Sequence, residues 1–128
     1  MNDFPRHVAA MRGELDAAIA RVLESGWFIL GKEVAELERE LAAFLGVRHV
    51  VGVGNGMDAI ELALAAVGVG EGDEVITTPN SAFASTLAIL KRRARPKFVD
   101  LDDKSYGLDV CRIEAAIGPR TRAILPVH

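Results

Sequence analysis

Residues 50–64 read VVGVGNGMDAIELAL, and this stretch decides the fold of the chain. It begins as a short apolar run, passes through glycines, and continues as a segment rich in alanine and leucine. That order predicts a buried strand, a tight glycine turn and a helix whose first turn contains Met57, Asp58 and Ala59. The first N–H groups of a helix lack partners within the helix and carry a partial positive charge, and nearby glycines let an anion approach closely. The stretch is therefore a candidate phosphate-binding turn.

The length and composition favour one globular domain. The chain has 128 residues, of which 50% are hydrophobic and 26% charged. Its formal net charge of -3 gives no attraction for nucleic acid or an anionic membrane. Cys111 is the single cysteine, which excludes an internal disulfide and suits a reducing compartment. We expect no signal peptide and no membrane span, and hence a cytoplasmic protein without nucleic-acid or membrane partners.

The first 46 residues predict two amphipathic helices joined by a connector. Apolar residues recur at helical spacing before Gly26 and again before Gly46, and each glycine is suited to end a helix. The connector at residues 27–30 carries four large apolar side chains, which is unusual in a loop. It either tucks beneath the core or forms an interface or site wall. We treat the chain as a single partial domain, with N-terminal helices and connector at 1–46 and the start of an α/β domain at 47–128.

Strands alternate with helices over the second of these segments. Apolar runs predict strands at residues 47–53, 74–78, 97–101 and 122–127. The alternation predicts an α/β fold in which a mostly parallel sheet is covered by helices on both faces. The fold is expected to be incomplete, because the last strand has no covering helix behind it.

Helices are predicted between these strands. Asn80 and Ser81 are candidate caps for a helix that ends at Lys91, and Asp109 opens another that ends at Gly118. Basic residues cluster where the former helix ends, at Lys91, Arg92, Arg93 and Arg95. They complement the negative end of the helix dipole, and no nucleic acid is needed to explain them.

Two nucleotide-binding patterns and one metal loop fit the residues poorly. Gly52 and Gly54 supply two glycines of a dinucleotide-binding turn, but the third is missing. The acids about twenty positions on, Asp73 and Glu74, precede a predicted strand, whereas the ribose-binding acid follows one. No Gly-Lys-Ser/Thr of a Walker turn follows. The acidic turn at residues 100–103 lacks the glycine and the terminal glutamate of a calcium loop, so no metal site is expected.

The motifs taken together resemble the N-terminal third of the DegT/DnrJ/EryC1/StrS family of sugar aminotransferases, which use pyridoxal 5'-phosphate (PLP). The most specific are NGMDAIELAL at 55–64, GDEVITTP at 72–79, RPKFVD at 95–100 and TRAILPVH at 121–128, with Phe83 and Thr86 between the second and third. Their order and spacing carry the resemblance. It implies the N-terminal part of the large domain of a PLP-dependent transferase of the aspartate aminotransferase-like fold type I.

The resemblance implies roles for particular residues. The backbone of Gly56, Met57 and Asp58 would hold the cofactor phosphate, and Phe83 would lie against the pyridine ring. Many members carry a hydroxyl residue where this chain has Met57, whose side chain cannot donate a hydrogen bond to the phosphate. A methionine followed by aspartate resembles the branch that acts on nucleotide-linked 3-keto sugars. Two interpretations stay open elsewhere: Phe83 as a core residue, and His128 as either a structural residue or a substrate contact.

The resemblance also indicates what the chain lacks. Family members use a lysine that forms a Schiff base with the cofactor and an aspartate that keeps the pyridine nitrogen protonated, and both follow the Pro-Val-His motif. None of the four lysines, Lys32, Lys91, Lys97 and Lys104, matches that position. We therefore expect a portion of an aminotransferase for a nucleotide-linked keto sugar, inactive alone, and a homodimer if the full-length chain exists. The alternatives are a non-catalytic binding or regulatory module and a small nucleotide-binding α/β protein.

Overall fold

The computed structural model describes residues 3–127 of the chain. Two compact units are present, Met1–Gly52 with the first two helices and Val53–His128 with the remaining elements. The elements follow in the order α1 (Phe4–Ser25), α2 (Lys32–Leu45), α3 (Gly56–Ala66), β1 (Glu74–Thr77), α4 (Phe83–Lys91), β2 (Arg95–Phe98), α5 (Val110–Ala116) and β3 (Thr121–Ile124).

The two helices of the first unit end at the predicted glycines. Gly26 follows α1 with φ 65°, and Gly46 follows α2 with φ 67°. Both values lie in the left-handed region, where a residue without a Cβ avoids the steric penalty of other residues. At the start of α1, the Asp3 carboxylate accepts the N–H of Arg6 at 3.2 Å and so caps the helix.

The connector at residues 27–30 lies on the surface. All four side chains are more than half exposed, and Ile29 is 78% exposed. The indole N–H of Trp27 donates to the carbonyl of Ile29 at 2.6 Å, so the turn is closed by its own atoms. Gly31 is needed next, because a Cβ there would lie 2.7 Å from the Trp27 carbonyl oxygen. The interpretation that the connector tucks beneath the core is therefore wrong, and its role as an interface or site wall stays a prediction.

Residues 47–53 do not form the predicted first strand. No strand within residues 3–127 pairs with them, and Val51 is 75% exposed. The N–H of Gly52 donates instead to the carboxylate of Glu38 at 2.7 Å. The prediction is wrong because a strand is stabilised by hydrogen bonds to a neighbouring strand, which β-branched residues alone cannot supply.

The other three predicted strands form a parallel sheet in the order β2-β1-β3. Strand β2 begins two residues earlier than predicted, since the N–H of Arg95 donates to the carbonyl of Asp73 at 2.9 Å and opens the ladder there. Pro96 then lies opposite Val75. A proline is tolerated at this place because β2 is an edge strand of the sheet.

Strand β1 is buried on both faces by helices. Val75 belongs to a cluster with Leu64 of α3 and Ile89 of α4, whereas Ile76 belongs to a second cluster that packs against Ile113 of α5. Adjacent residues of a strand point to opposite faces, so these helices cover both sides of the sheet. The predicted α/β architecture is confirmed.

Two helix starts differ in how well the sequence predicted them. Asp109 caps α5 as expected, and its carboxylate accepts the N–H of Cys111 at 3.0 Å. Helix α4 has Ala82 at its N-cap and no side-chain cap, so the prediction for Asn80 and Ser81 is wrong. The Ser81 hydroxyl bonds to Ser85 inside the helix instead of capping it, and the backbone N–H of Asn80 bonds to the hydroxyl of Thr78, two residues earlier.

Candidate phosphate-binding site

Helix α3 begins with a reciprocal cap between Asn55 and Asp58. The Asn55 side chain accepts the N–H of Asp58 at 3.0 Å, and its amide donates to Asp58 Oδ2 at 2.8 Å. Sequence reasoning missed Asn55, although an asparagine three residues before an acid, directly ahead of an apolar helix, is a typical capping pattern. The cap fixes where the helix starts and which of its first N–H groups stay free.

The free donors are the N–H groups of Gly56 and Met57. Within the described residues 3–127, no protein acceptor contacts either group, whereas the N–H of Asp58 is taken by Asn55 and that of Ala59 by the Asn55 carbonyl. Of the three residues predicted to hold a phosphate, two therefore offer an unpaired amide. Both lie at the positive end of the helix dipole.

The backbone at this helix start is open to a ligand. A Cβ placed on Gly56 would meet nothing within 4 Å, so the absent side chain leaves free space beside the two donors. At Gly54 the space is limited, since a Cβ would lie 3.2 Å from Asp58 Oδ2. Two N–H donors, a helix dipole and an open approach fit a phosphate group.

Phe83 lies at the same end of the sheet. Arg92, directly after α4, donates to the carbonyl of Val69 in the turn after α3 at 3.2 Å, so the end of α4 packs against α3 and the turn that follows it. Helix α4 leaves β1 and returns to the parallel strand β2, which places its N-terminus at the carboxyl end of the strands. Phe83 is its first residue and is 70% exposed, so the interpretation of this ring as a core residue is wrong.

Charged side chains surround the first two turns of α3. Lys91 Nζ lies 3.9 Å from Asp58 Oδ1 and forms an ion pair with Glu61. The hydrogen bond from Lys91 to Glu61 raises the pKa of Lys91. Arg93 lies 3.6 Å from Glu71, in the turn after α3. The basic cluster predicted to complement the α4 dipole thus also joins α4 to α3 and the turn after it.

The acidic turn at residues 100–103 lies outside this helix start and is occupied by its own hydrogen bonds. The carboxylate of Asp102 accepts the N–H groups of Ser105 and Lys104, which lowers its pKa and shows that the acidic turn binds its own backbone. Within residues 3–127 no group of three or more histidine, cysteine or acidic side chains could hold a metal ion, and no helix is long and apolar enough to cross a membrane. His128 lies outside the described residues.

A cleft of about 240 Å³ occurs within the first unit, between α1 and α2. Trp27 and Phe28 form its apolar wall, and Arg21 and Glu33, which pair at 2.8 Å, form its charged side. The guanidinium of Arg21 lowers the pKa of the Glu33 carboxyl. The cleft contains no residue of the α3 start.

The chain is similar to known proteins over most of its length. The model of the DegT/DnrJ/EryC1/StrS aminotransferase family matches residues 9–128. The chain belongs to this family. A dTDP-3-amino-3,4,6-trideoxy-alpha-D-glucose transaminase from Micromonospora megalomicea subsp. nigra is 48% identical over 117 residues, which are 91% of this chain and 31% of the relative.

Solved structures of the family show the same fold. S. venezuelae DesV superposes with a TM-score of 0.94 at 47% identity, over 98% of this chain and 34% of that one. NtdA from Bacillus subtilis, solved with bound cofactor PMP (pyridoxamine 5'-phosphate), gives a TM-score of 0.89 at 35% identity, over 93% of this chain and 27% of that one. The predicted fold, the N-terminal part of a fold type I PLP-dependent aminotransferase, is confirmed. The chain spans about a third of the length of these family members.

The cap of α3 can be tested by a matched pair of asparagine substitutions. Asn55→Ala removes the acceptor for the Asp58 N–H, so we expect the free energy of unfolding to fall by about 1 kcal/mol. Asn80→Ala removes an asparagine that caps no helix, and the change should stay within about 0.5 kcal/mol. Urea denaturation followed by circular dichroism measures both, and equal losses would contradict the assigned cap.

Proposed function

We propose that this chain is the cofactor-phosphate-binding portion of a PLP-dependent aminotransferase that acts on a nucleotide-linked keto sugar. The observation that carries the proposal is the pair of amides at Gly56 and Met57, which have no acceptor within the described residues and lie where the missing side chain of Gly56 leaves free space. In a member of this family, that is a place suited to the phosphate of the cofactor. PLP, when bound, supplies an electron sink for the transfer of an amino group.

In this proposal, the residues of this chain bind the cofactor and orient it. The two amides and the dipole of α3 would hold the phosphate, and the Asp58 amide would act indirectly, because its bond to Asn55 keeps the helix start in place. The exposed face of Phe83, at the carboxyl end of the strands, would pack against the aromatic ring and exclude water from one side of it. Ligands of open α/β sheets bind at that end of the strands.

The substrate class rests on the relatives. Their names describe transaminases of dTDP- and UDP-linked sugars and sugar acids, among them UDP-N-acetyl-3-dehydro-alpha-D-glucosamine and UDP-2-acetamido-2-deoxy-3-oxo-D-glucuronate. We extend this class to the whole protein of which these residues form a part. From the family resemblance we also infer a cytoplasmic homodimer, in which the exposed connector at residues 27–30 could be covered.

Covalent attachment of the cofactor is proposed to use a lysine outside these 128 residues. An amine attacks a carbonyl in its neutral form, so a nucleophilic lysine needs a lowered pKa. Lys91 has the opposite shift, since its hydrogen bond to Glu61 raises its pKa. Lys97 Nζ is engaged in an ion pair with the Glu74 carboxylate at 3.7 Å.

Binding of the phosphate cofactor is tested with PMP, which has no aldehyde and cannot react with lysines. At a PMP concentration about one hundred times its Kd, the free energy of unfolding should rise by about 2.7 kcal/mol. NAD at the same concentration serves as the control and should leave it unchanged. Stabilisation by NAD alone would favour the nucleotide-binding alternative, and stabilisation by neither would contradict the proposal.

The absence of a covalent site is tested with PLP at one equivalent. After borohydride reduction, peptide mass spectrometry should find no lysine modified in most of the molecules. Stoichiometric modification of any one of the four lysines would contradict the assignment.

The side chain of Met57 offers the phosphate no hydrogen bond, and a substitution can supply one. Met57→Thr places a hydroxyl beside the phosphate, and because a hydrogen bond to a charged group is worth about 1.5–3 kcal/mol, the Kd for PMP should fall about tenfold or more. Met57→Val has the same shape without the hydroxyl and is the matched control. Calorimetric titration measures both variants, and equal Kd values for them would show that this side chain does not face the phosphate.

A further inference from the structure

Lys91 is the last residue of α4, and its ammonium group lies between two carboxylates of α3. Nζ is 3.9 Å from Asp58 Oδ1 and forms an ion pair with Glu61 Oε2. All three side chains are partly shielded from solvent, Glu61 most of all at 25% exposure. The contacts therefore act in a setting where charges are screened less than on an open surface.

The carboxylates of Asp58 and Glu61 repel a phosphate at the start of α3 electrostatically. Asp58 sits in the first turn of α3, where a carboxylate competes with any incoming anion for the positive end of the helix. Glu61 lies one turn further along the same helix. Without a cation these groups place two negative charges on the first two turns of α3, and with Lys91 the sum is reduced to one.

Lys91 also restricts the position of Asp58. One carboxylate oxygen, Oδ2, accepts the Asn55 amide at 2.8 Å, and the other faces the Lys91 ammonium. Held on both oxygens, Asp58 keeps Asn55 oriented so that its side chain accepts the Asp58 N–H and leaves the two preceding amides free. A chain of polar contacts thus connects the end of α4 to the start of α3.

We propose that Lys91 is a positioning residue for the cofactor phosphate, acting by neutralising and orienting the acidic pair Asp58 and Glu61 behind the two free amides of α3. This inference rests on the proposed function, because it concerns the same phosphate. The hydrogen bond to Glu61 raises the pKa of Lys91, so the amine is charged at neutral pH, where the phosphate is ionised as well.

The test is the Kd of PMP, measured calorimetrically at low ionic strength on the whole chain. Lys91→Gln should weaken binding about tenfold, equivalent to about 1.4 kcal/mol, because two uncompensated carboxylates then repel the phosphate. Lys91→Arg keeps the charge and should bind PMP within about twofold of the unsubstituted chain. Arg93→Gln is the matched control, since it removes one positive charge that pairs with Glu71 after α3, and it should leave the Kd unchanged.

A second carboxylate substitution distinguishes electrostatics from a structural role. Glu61→Gln in the Lys91→Gln background removes one of the uncompensated charges, so most of the lost affinity should return. Added salt should likewise reduce the difference between Lys91→Gln and the unsubstituted chain. A lysine that only joins α4 to α3 would lower the free energy of unfolding without either response, and this is checked by urea denaturation without ligand.

The outcomes separate the role of Lys91 from the proposed function. If the unsubstituted chain binds PMP and Lys91→Gln binds it equally well, the role of Lys91 is overturned and the proposed function stands. If Lys91→Gln and Arg93→Gln weaken binding alike, a general charge effect replaces the specific one and the inference is again overturned. If the unsubstituted chain does not bind PMP, the proposed function fails, and the inference fails with it.

Discussion

The burial of β1 on both faces is the constraint on which the second unit depends. Val75 and Ile76 are fully buried and point to opposite sides of the sheet, so α3 and α4 must cover one face and α5 the other. Both sheet neighbours of β1 run parallel to it, which requires crossover connections instead of hairpins. At the first residue of β1, the nearly buried Glu74 side chain pairs with Arg120 at 2.8 Å. This ion pair compensates the charge that the start of the strand brings into the sheet.

A parallel strand with helices on both faces has a chemical consequence at its carboxyl end. Helix α4 follows β1 and begins there. Helix α3 follows no strand of the described sheet and leads into β1; at its start the Asn55 cap uses one unpaired N–H group and leaves two, those of Gly56 and Met57, without an acceptor among the described residues. At α4 the first residue is Phe83, whose exposed ring adds an apolar surface beyond the carboxyl end of β1. The fold thus collects donors and an aromatic face before any catalytic side chain is considered.

The sequence predicted those features whose causes are local. Gly26 and Gly46 end helices because left-handed backbone favours glycine at that residue alone, and Asp109 caps α5 through a bond to an N–H two residues away. The wrong predictions concern features that depend on distant residues or on competing hydrogen bonds. Residues 47–53 have the composition of a strand, but pairing depends on a neighbour that composition does not reveal. Asn80 and Ser81 have suitable side chains for a cap, but the Ser81 hydroxyl bonds to Ser85 instead, and only the backbone N–H of Asn80 bonds to a nearby hydroxyl, that of Thr78.

The candidate site was predicted to a similar degree and for the same reason. Gly56, Met57 and Asp58 are predicted as phosphate-binding residues from a glycine turn before a helix, because the helix start is set by a few consecutive residues. The proposed contribution of Lys91 to phosphate binding could not be predicted from the sequence, since thirty-three positions separate Lys91 from Asp58. Only the packing of α4 on α3 brings the two residues together. A phosphate held by one helix start needs few residues and can reside in a short stretch of chain. The balance of charge behind it needs the packed sheet, which is why an anion site can be recognised from sequence more readily than the residues that tune it.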